Sequence, residues 1–485
     1  MTSGLPALEA LARRARREMA LFDYPDRAWV NAVQDGSGAR VHNVLIVGGG
    51  QNGLAIAFAL QRERIGGVTV LDENPPGHEG PWVTYARMIT LRTLKFLTGP
   101  DLGTPSLTFR AWHEAQFGEA SWERLVRIPR GEWMRYLVWL RETLDLPVRN
   151  AVRLTRVEPR GDLVAVHLET PDGPEIALTR KLVLATGIQG AGDARIPDCV
   201  RRNLPRHVWA HTSEAIDFAA LAGRRVAVVG AGASAFDNAA TALESGAACV
   251  DVFVRRAALP TVNPYRALES HGFFRNFPDL ADADRWRFMR RLLAMPMPPP
   301  QDTVERALRH ANVRVHYASP VLDAAPAFGG LRLRTPHGWH EADFLILGTG
   351  FSVDIAARPE LAAIAGQVAL WGDRYTPPAG EADAGTARYP YLGRHFELCE
   401  RLPGTLPALR NIHLFNTGAV VSTGIIAGGL NGMPWGIARL VAGLSRDFYQ
   451  GEVERVFADF AAYQEPDAWE AVRTDSDGAR RSAIG

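Results

Sequence analysis

Val44-Leu45-Ile46-Val47-Gly48-Gly49-Gly50-Gln51-Asn52-Gly53 leads into an apolar helix through Leu60, and a second apolar strand, Val68–Leu71, ends at Asp72. Strand, glycine turn, helix and strand in that order make a βαβ unit. Gly48 permits the tight turn, Gly50 admits a pyrophosphate against the backbone, and Gly53 lets the helix pack closely on the strand. The free amides of the helix start, where Gln51 and Asn52 stand, face the phosphate charge. Asp72, about 20 residues beyond the turn, is placed to accept from the ribose hydroxyls of an adenosine, with Glu73 beside it. The unit is expected to bind a dinucleotide.

The pattern recurs. Val226-Ala227-Val228-Val229-Gly230-Ala231-Gly232-Ala233-Ser234-Ala235 precedes a helix and the strand Val250–Val254, which ends at Arg255-Arg256. Gly230, Gly232 and Ser234 are expected to meet a second dinucleotide, and Ala235 in place of a third glycine widens the helix–strand contact slightly. Arginine where an acid would grip a ribose diol favours a 2′-phosphate, hence NADPH over NADH. Two buried strands ending in Thr-Gly, Leu182–Gly187 and Leu345–Gly350, follow their respective units and suit a close backbone approach to a cofactor at Gly187, Thr349 and Gly350. The expected fold class is α/β, with two Rossmann-like domains, the second inserted into the first.

The rest of the 485-residue chain is consistent with this and excludes other classes. Basic and acidic residues nearly cancel, 54 against 53, so no net field attracts nucleic acid or an acidic membrane. All the basic residues but Lys95 and Lys181 are arginine, a compositional bias. Cys199, Cys249 and Cys399 are widely separated and form no C-x-x-C pair, so neither a disulfide framework nor a metal site is expected, and a cytoplasmic setting fits. Met1–Arg17 has no apolar run of a secretory leader. Residues 411–438 lack charge, but their glycines, asparagines and Pro434 read as buried loop around a ligand rather than a membrane span.

Working outward, residues 5–20 form an amphipathic helix, Glu132–Leu144 another, and Val164–Leu168 with Glu175–Leu178 flank a hairpin turn at Pro171-Asp172-Gly173. Lys181–Gly187 then makes a buried strand. Asn263–Pro300 interrupts the alternation, and Asp302 with Glu305 opens a capped helix. The expected division is an N-terminal extension 1–42, a first nucleotide domain 43–212 plus 350–485, and a second 213–349 with an insertion near 260–300.

Taken together, residues 43–440 resemble the class B flavoprotein monooxygenases: the flavin-containing monooxygenases, the Baeyer–Villiger monooxygenases, and the lysine and ornithine N-hydroxylases. The resemblance rests on the two glycine turns, on Glu79-Gly80-Pro81-Trp82, similar to a Gly-Gly-x-Trp segment, on Leu347–Phe351, and on Pro129–Trp139, similar to an N-hydroxylase segment. The family's F-x-G-x-x-x-H signature survives only as its tail, His211-Thr212, with Pro205 and His207 where Phe and Gly would fall, so no subgroup follows.

The resemblance implies FAD at the first turn, NADPH at the second, and a C4a-(hydro)peroxyflavin that passes oxygen from O2 to nitrogen or sulfur of a small substrate. Baeyer–Villiger oxygenation beside a carbonyl is the alternative. A reductase or oxidase, or a non-catalytic flavin-binding protein, is a further class. Arg92 either stabilises a peroxide anion or pairs with cofactor phosphate; His211 either relays protons near the nicotinamide or anchors the domain linker. Lys95 is a candidate substrate anchor or a solvated lysine, and Trp82 stacks near the flavin or packs the core. Asn431 stands in a glycine-rich segment that is either a loop entering a helix whose N-terminus faces the flavin or a buried connector. Phe273, Phe274, Phe277 and Trp286 line an access lid or form the insertion's own core. The oligomeric state is left open.

Overall fold

A computed structural model describes residues 5–97 and 99–465; residues 1–4 of the expected N-terminal extension and 466–485 of the first domain lie outside them. Helix α1 (Leu5–Leu21) buries Ala12 and Ala15, its apolar stripe, and turns its arginines outward. The first unit follows as β1 (Arg40–Val47), α2 (Gln51–Arg62) and β2 (Val68–Leu71). Helix α3 (Arg130–Thr143) and β3 (Val148–Arg149) lead to β4 (Arg153–Arg160), β5 (Leu163–Thr170) and β6 (Gly173–Leu184).

Hairpin and buried strand, expected as separate elements, are one strand. The first half of β6 pairs antiparallel with β5, and its second half runs parallel to β1, in register Val47 to Leu184. β15 (Ile412–Leu414) pairs parallel with its other edge, which gives a parallel order β3-β2-β1-β6-β15 with the hairpin hanging from β6. Residues that are apolar on both faces, such as Val44, Leu45 and Ile46, suit a sheet covered on both sides.

The second sheet is wholly parallel: β10 (Val313–His316), β9 (Cys249–Phe253), β8 (Arg225–Val229), β14 (Phe344–Leu347) and β7 (Trp209–His211), in that order. Helices α4 (Ala233–Glu244) and α6 (Gln301–Leu308) cover one face. A three-stranded meander, β11 (Asp323–Ala327), β12 (Gly330–Thr335) and β13 (Gly338–Ala342), covers the other. The two chain crossings between the sheets pair with each other, Gly192–Ala194 antiparallel to Phe351–Val353.

Three expectations shift. Strand β7 joins the second sheet, so that unit begins before residue 213. Helix α6 starts after Pro300 with no side-chain cap, because Pro300 already supplies the extended entry and Asp302 lies inside the first turn. The segment 263–300 is not a self-contained core: Phe274, Phe277 and Trp286, with Met289 and Leu292 of α5 (Asp282–Ala294), belong to the apolar core of the first sheet. Trp286 donates to the Glu381 carbonyl at 3.0 Å, and buried Arg285 donates to the Ser422 carbonyl at 3.0 Å, tying the segment to the first unit. No helix among the described residues is long and apolar enough to cross a membrane.

Candidate active site

Both glycine turns have the same construction. In the first, the Gly48 amide donates to the Leu71 carbonyl at 2.7 Å and Ala185 donates back to Val47 at 2.8 Å; in the second, Gly230 donates to Phe253 at 3.1 Å and Gly348 to Val229 at 2.8 Å. Gly48, at φ +107°, leaves no room for a side chain, whose Cβ would stand 2.5 Å from the Ala185 oxygen. A Cβ on Gly53 would stand 1.8 Å from the Gly48 oxygen. In the second turn the crowding is exchanged: Ala235 supplies the methyl, and Gly348 opposite it supplies the gap, since a Cβ there would approach that methyl to 2.7 Å.

Asp72 is buried at the end of β2, with Oδ2 accepting from the Gly49 amide at 2.8 Å and Oδ1 from the amide and side chain of Asn74 at 2.9 and 3.0 Å. Burial raises its pKa, and the nearby Glu79 adds to the shift against those hydrogen bonds. Glu79, itself buried, accepts from Arg141 at 2.9 Å and Asn150 at 2.7 Å. Glu73 points to solvent, and Arg255 beyond β9 is exposed with Arg256 half-buried next to it. Neither arginine has an ion pair among the described residues.

Between the two turns lies a cavity of about 310 Å³. Gln51, from the first turn of α2, and Ser234, from the first turn of α4, both line it, with Trp82, Arg92, Asp237, Phe351 and Gly428. The residue composition fits a flavin and its partner nucleotide on specific grounds. Gln51 Oε1, Asn52 Oδ1 and Trp82 Nε1 are buried polar atoms without a protein partner, and all three sit at or beside the first turn. Native interiors rarely leave such groups unpaired unless a ligand takes them. Asn52 Nδ2 meanwhile donates to Ala427 at 3.2 Å, joining α2 to the glycine-rich loop that precedes α7 (Met433–Gly451).

The candidate catalytic and substrate residues separate. Arg92 lines the cavity and reaches across to Asp237 of α4, Nη2 to Oδ2 at 3.3 Å. Asp237 is 3% exposed and also lies 3.8 Å from Arg306 of α6. Burial raises its pKa, while the two arginines oppose the shift. His211 is fully buried off the cavity wall: Nε2 donates to the Gly350 carbonyl at 3.1 Å, and Nδ1 accepts from Ser213 at 2.7 Å. Burial lowers its pKa, and its two contacts join β7 to the backbone of the crossing at Gly350. Lys95 is not among the cavity residues: it donates to the Trp122 carbonyl at 2.7 Å with its ammonium 4.6 Å from that indole.

Trp82 both lines the cavity and packs edge-on against Trp133 at 6.2 Å. The Asn431 amide is held by Glu269, and the Thr349 hydroxyl donates to Arg195, on the crossing between units. Gly187 and Gly350 have left-handed backbones, φ +63° and +74°, that turn the chain after each Thr. Sequence reasoning missed Arg87 and Tyr85, which reach the cavity from a segment without a recognisable local pattern, and Asp237 and Ser213, which stand beside recognised motifs but outside their fixed positions.

The model of the pyridine nucleotide-disulphide oxidoreductase family matches residues 45–268. Over 95% of its length the chain is 44% identical to an FAD-dependent urate hydroxylase of Xanthomonas campestris pv. campestris, 97% of which is covered. The chain belongs to the class B flavoprotein monooxygenases. As a monooxygenase of this class it shares its fold with an ornithine hydroxylase of Pseudomonas aeruginosa, at TM-score 0.64 and 19% identity over 84% of this chain and 99% of that one. An L-lysine 6-monooxygenase of Pseudomonas syringae is similar at TM-score 0.62 and 20% identity, over the same shares. The monooxygenase carries all three cysteines as free thiols.

Proposed function

We propose that the protein uses FAD and NADPH to hydroxylate a urate-type heterocycle with O2. FAD belongs at the first glycine turn, held by Gly48, Gly50, Gln51, Asn52, Gly53 and Asp72, and NADPH at the second, held by Gly230, Gly232, Ser234 and Arg255. The domains are then 43–208 with 350–485, and 209–349, the second taking in β7. The observation that carries the reading is that the first turns of both nucleotide helices open on one cavity, through Gln51 and Ser234.

When bound, FAD supplies the centre that accepts two electrons from NADPH and activates oxygen. The chain's own residues do the rest. The helix starts hold phosphate charge, and the apolar wall of Met88, Leu91, Phe351 and Leu430 excludes water. Arg92, tethered to Asp237, presents a fixed positive charge at the wall. In the overall reaction one oxygen atom enters the substrate and the other leaves as water, with two electrons from NADPH. A urate substrate moves the reading from amines and sulfides to an electron-rich ring, and it is taken from the similarity to the urate hydroxylase.

The test is steady-state turnover by the FAD-loaded protein with NADPH and urate. NADPH, O2 and urate should disappear in equal amounts. NADPH oxidation that yields hydrogen peroxide and spares urate would contradict the substrate reading.

A further inference from the structure

Three arginines meet at or behind the cavity wall, and only two have carboxylate partners. Arg306 closes on Glu244, Nε to Oε1 at 2.8 Å, and stands 3.8 Å from Asp237. Arg92 takes the other Asp237 oxygen at 3.3 Å and keeps half its side chain exposed. Arg87 lines the cavity without an acidic partner among the described residues.

Its position is nevertheless fixed from three sides. Arg306 Nη1 donates to the Arg87 carbonyl at 2.9 Å and pins the backbone. Arg87 Nη1 donates to the Thr84 carbonyl at 2.7 Å. Its guanidinium carbon lies 5.2 Å from the centroid of Phe218, contributed by the second unit. The remaining guanidinium N–H groups have no protein acceptor among the described residues. A half-buried cation held in one geometry without a counter-ion pays desolvation that an incoming anion repays. Burial, with the nearby Arg130 charge, correspondingly lowers its pKa.

A guanidinium is a flat fork of donors that matches two acceptors side by side on a planar group. We propose that Arg87 is the substrate's anion-recognition residue, gripping a planar, charge-delocalised oxo-heterocycle through two adjacent acceptor atoms. The proposal rests on the preceding reading for the identity of that anion as urate. The anion preference rests on Arg87 alone.

The experiment titrates the FAD-loaded wild type, Arg87→Lys and Arg87→Met with urate, orotate and uracil, followed by the flavin absorbance, and takes the NADPH affinity from the concentration dependence of anaerobic flavin reduction. In Arg87→Met the urate dissociation constant should rise roughly ten- to hundredfold, the range of a lost charge-assisted hydrogen bond, with part of the loss recovered in Arg87→Lys. NADPH affinity and flavin content should stay at wild-type values. Unchanged urate affinity in Arg87→Met would overturn the proposal, and so would an equal loss for NADPH, which would assign Arg87 to the cofactor. If wild type ignores urate but prefers anionic orotate to neutral uracil, and Arg87→Met abolishes that preference, the urate reading falls and Arg87 stands. A wild type with no preference between orotate and uracil and no affinity for urate would sink both.

Discussion

On the proposed reading, Arg255 selects between nicotinamide cofactors by charge. It is exposed at the end of β9, and with Arg256 it carries no ion pair among the described residues. In a unit of this kind an acid at that position would bind a ribose diol, whereas arginine meets a 2′-phosphate. Arg255→Asp should therefore raise KM for NADPH at least tenfold, roughly the value of one charge-assisted contact, while KM for NADH falls or stays level. Equal effects on both would remove the phosphate assignment. Asp72 shows why the same logic is harder to apply to a carboxylate. Both its oxygens already accept from Gly49 and Asn74, so it shapes the turn whatever its part in the proposed ribose contact. Sequence spacing singled out Asp72 and Arg255 as candidates. It gave no hint of Arg87, because that arginine is distinguished only by what the distant Arg306 and Phe218 do to it.

At the scale of elements, the two βαβ units solve one packing problem with the small residue on opposite sides. Gly53 faces the turn while Ala185 closes the neighbouring strand in the first; Ala235 and Gly348 exchange those sizes in the second. Gly348→Ala would press two methyls to within 2.7 Å of each other. It should cost about 1–3 kcal/mol, the usual range for overpacking, seen as a lower Tm. Ala235→Gly in that background should recover part of the loss, since the Cα of residue 235 would still stand 2.8 Å from the added methyl, and a double variant no more stable than Gly348→Ala would contradict the exchange. The sequence showed Ala235 at the third glycine position and suggested a wider contact; the compensating Gly348 was invisible because it follows β14, more than a hundred residues along the chain. Strands, glycine turns and helices were legible from local periodicity. That β6 is continuous, and that Trp286 packs in the first core, follow from tertiary pairing that no local pattern encodes.

Over the whole molecule, two of the buried ionisable sites have different consequences. Asp237 joins Arg92 of the first unit to α4 of the second, bridging the cavity. On the far side, His413 in β15 is 1% exposed, its Nδ1 donating to the His395 carbonyl at 2.9 Å, with buried Lys181 nearby. Burial, reinforced by Lys181, lowers the ring from 6.5 to about 4. The folded state therefore holds His413 neutral, while the unfolded chain takes a proton below pH 6.5. The stability this group permits is complete above pH 6.5 and is lost as pH falls towards 4. Urea midpoints measured between pH 7.5 and roughly 4 should fall for wild type and fall less steeply for His413→Leu; parallel curves would show that another group drives the loss. The central claim is that the two units serve one oxygen-insertion reaction, and labelled oxygen tests it most directly. Turnover of urate with NADPH under ¹⁸O2 should place one labelled atom in the organic product. Label recovered only in hydrogen peroxide, with the organic product unlabelled, would contradict the account.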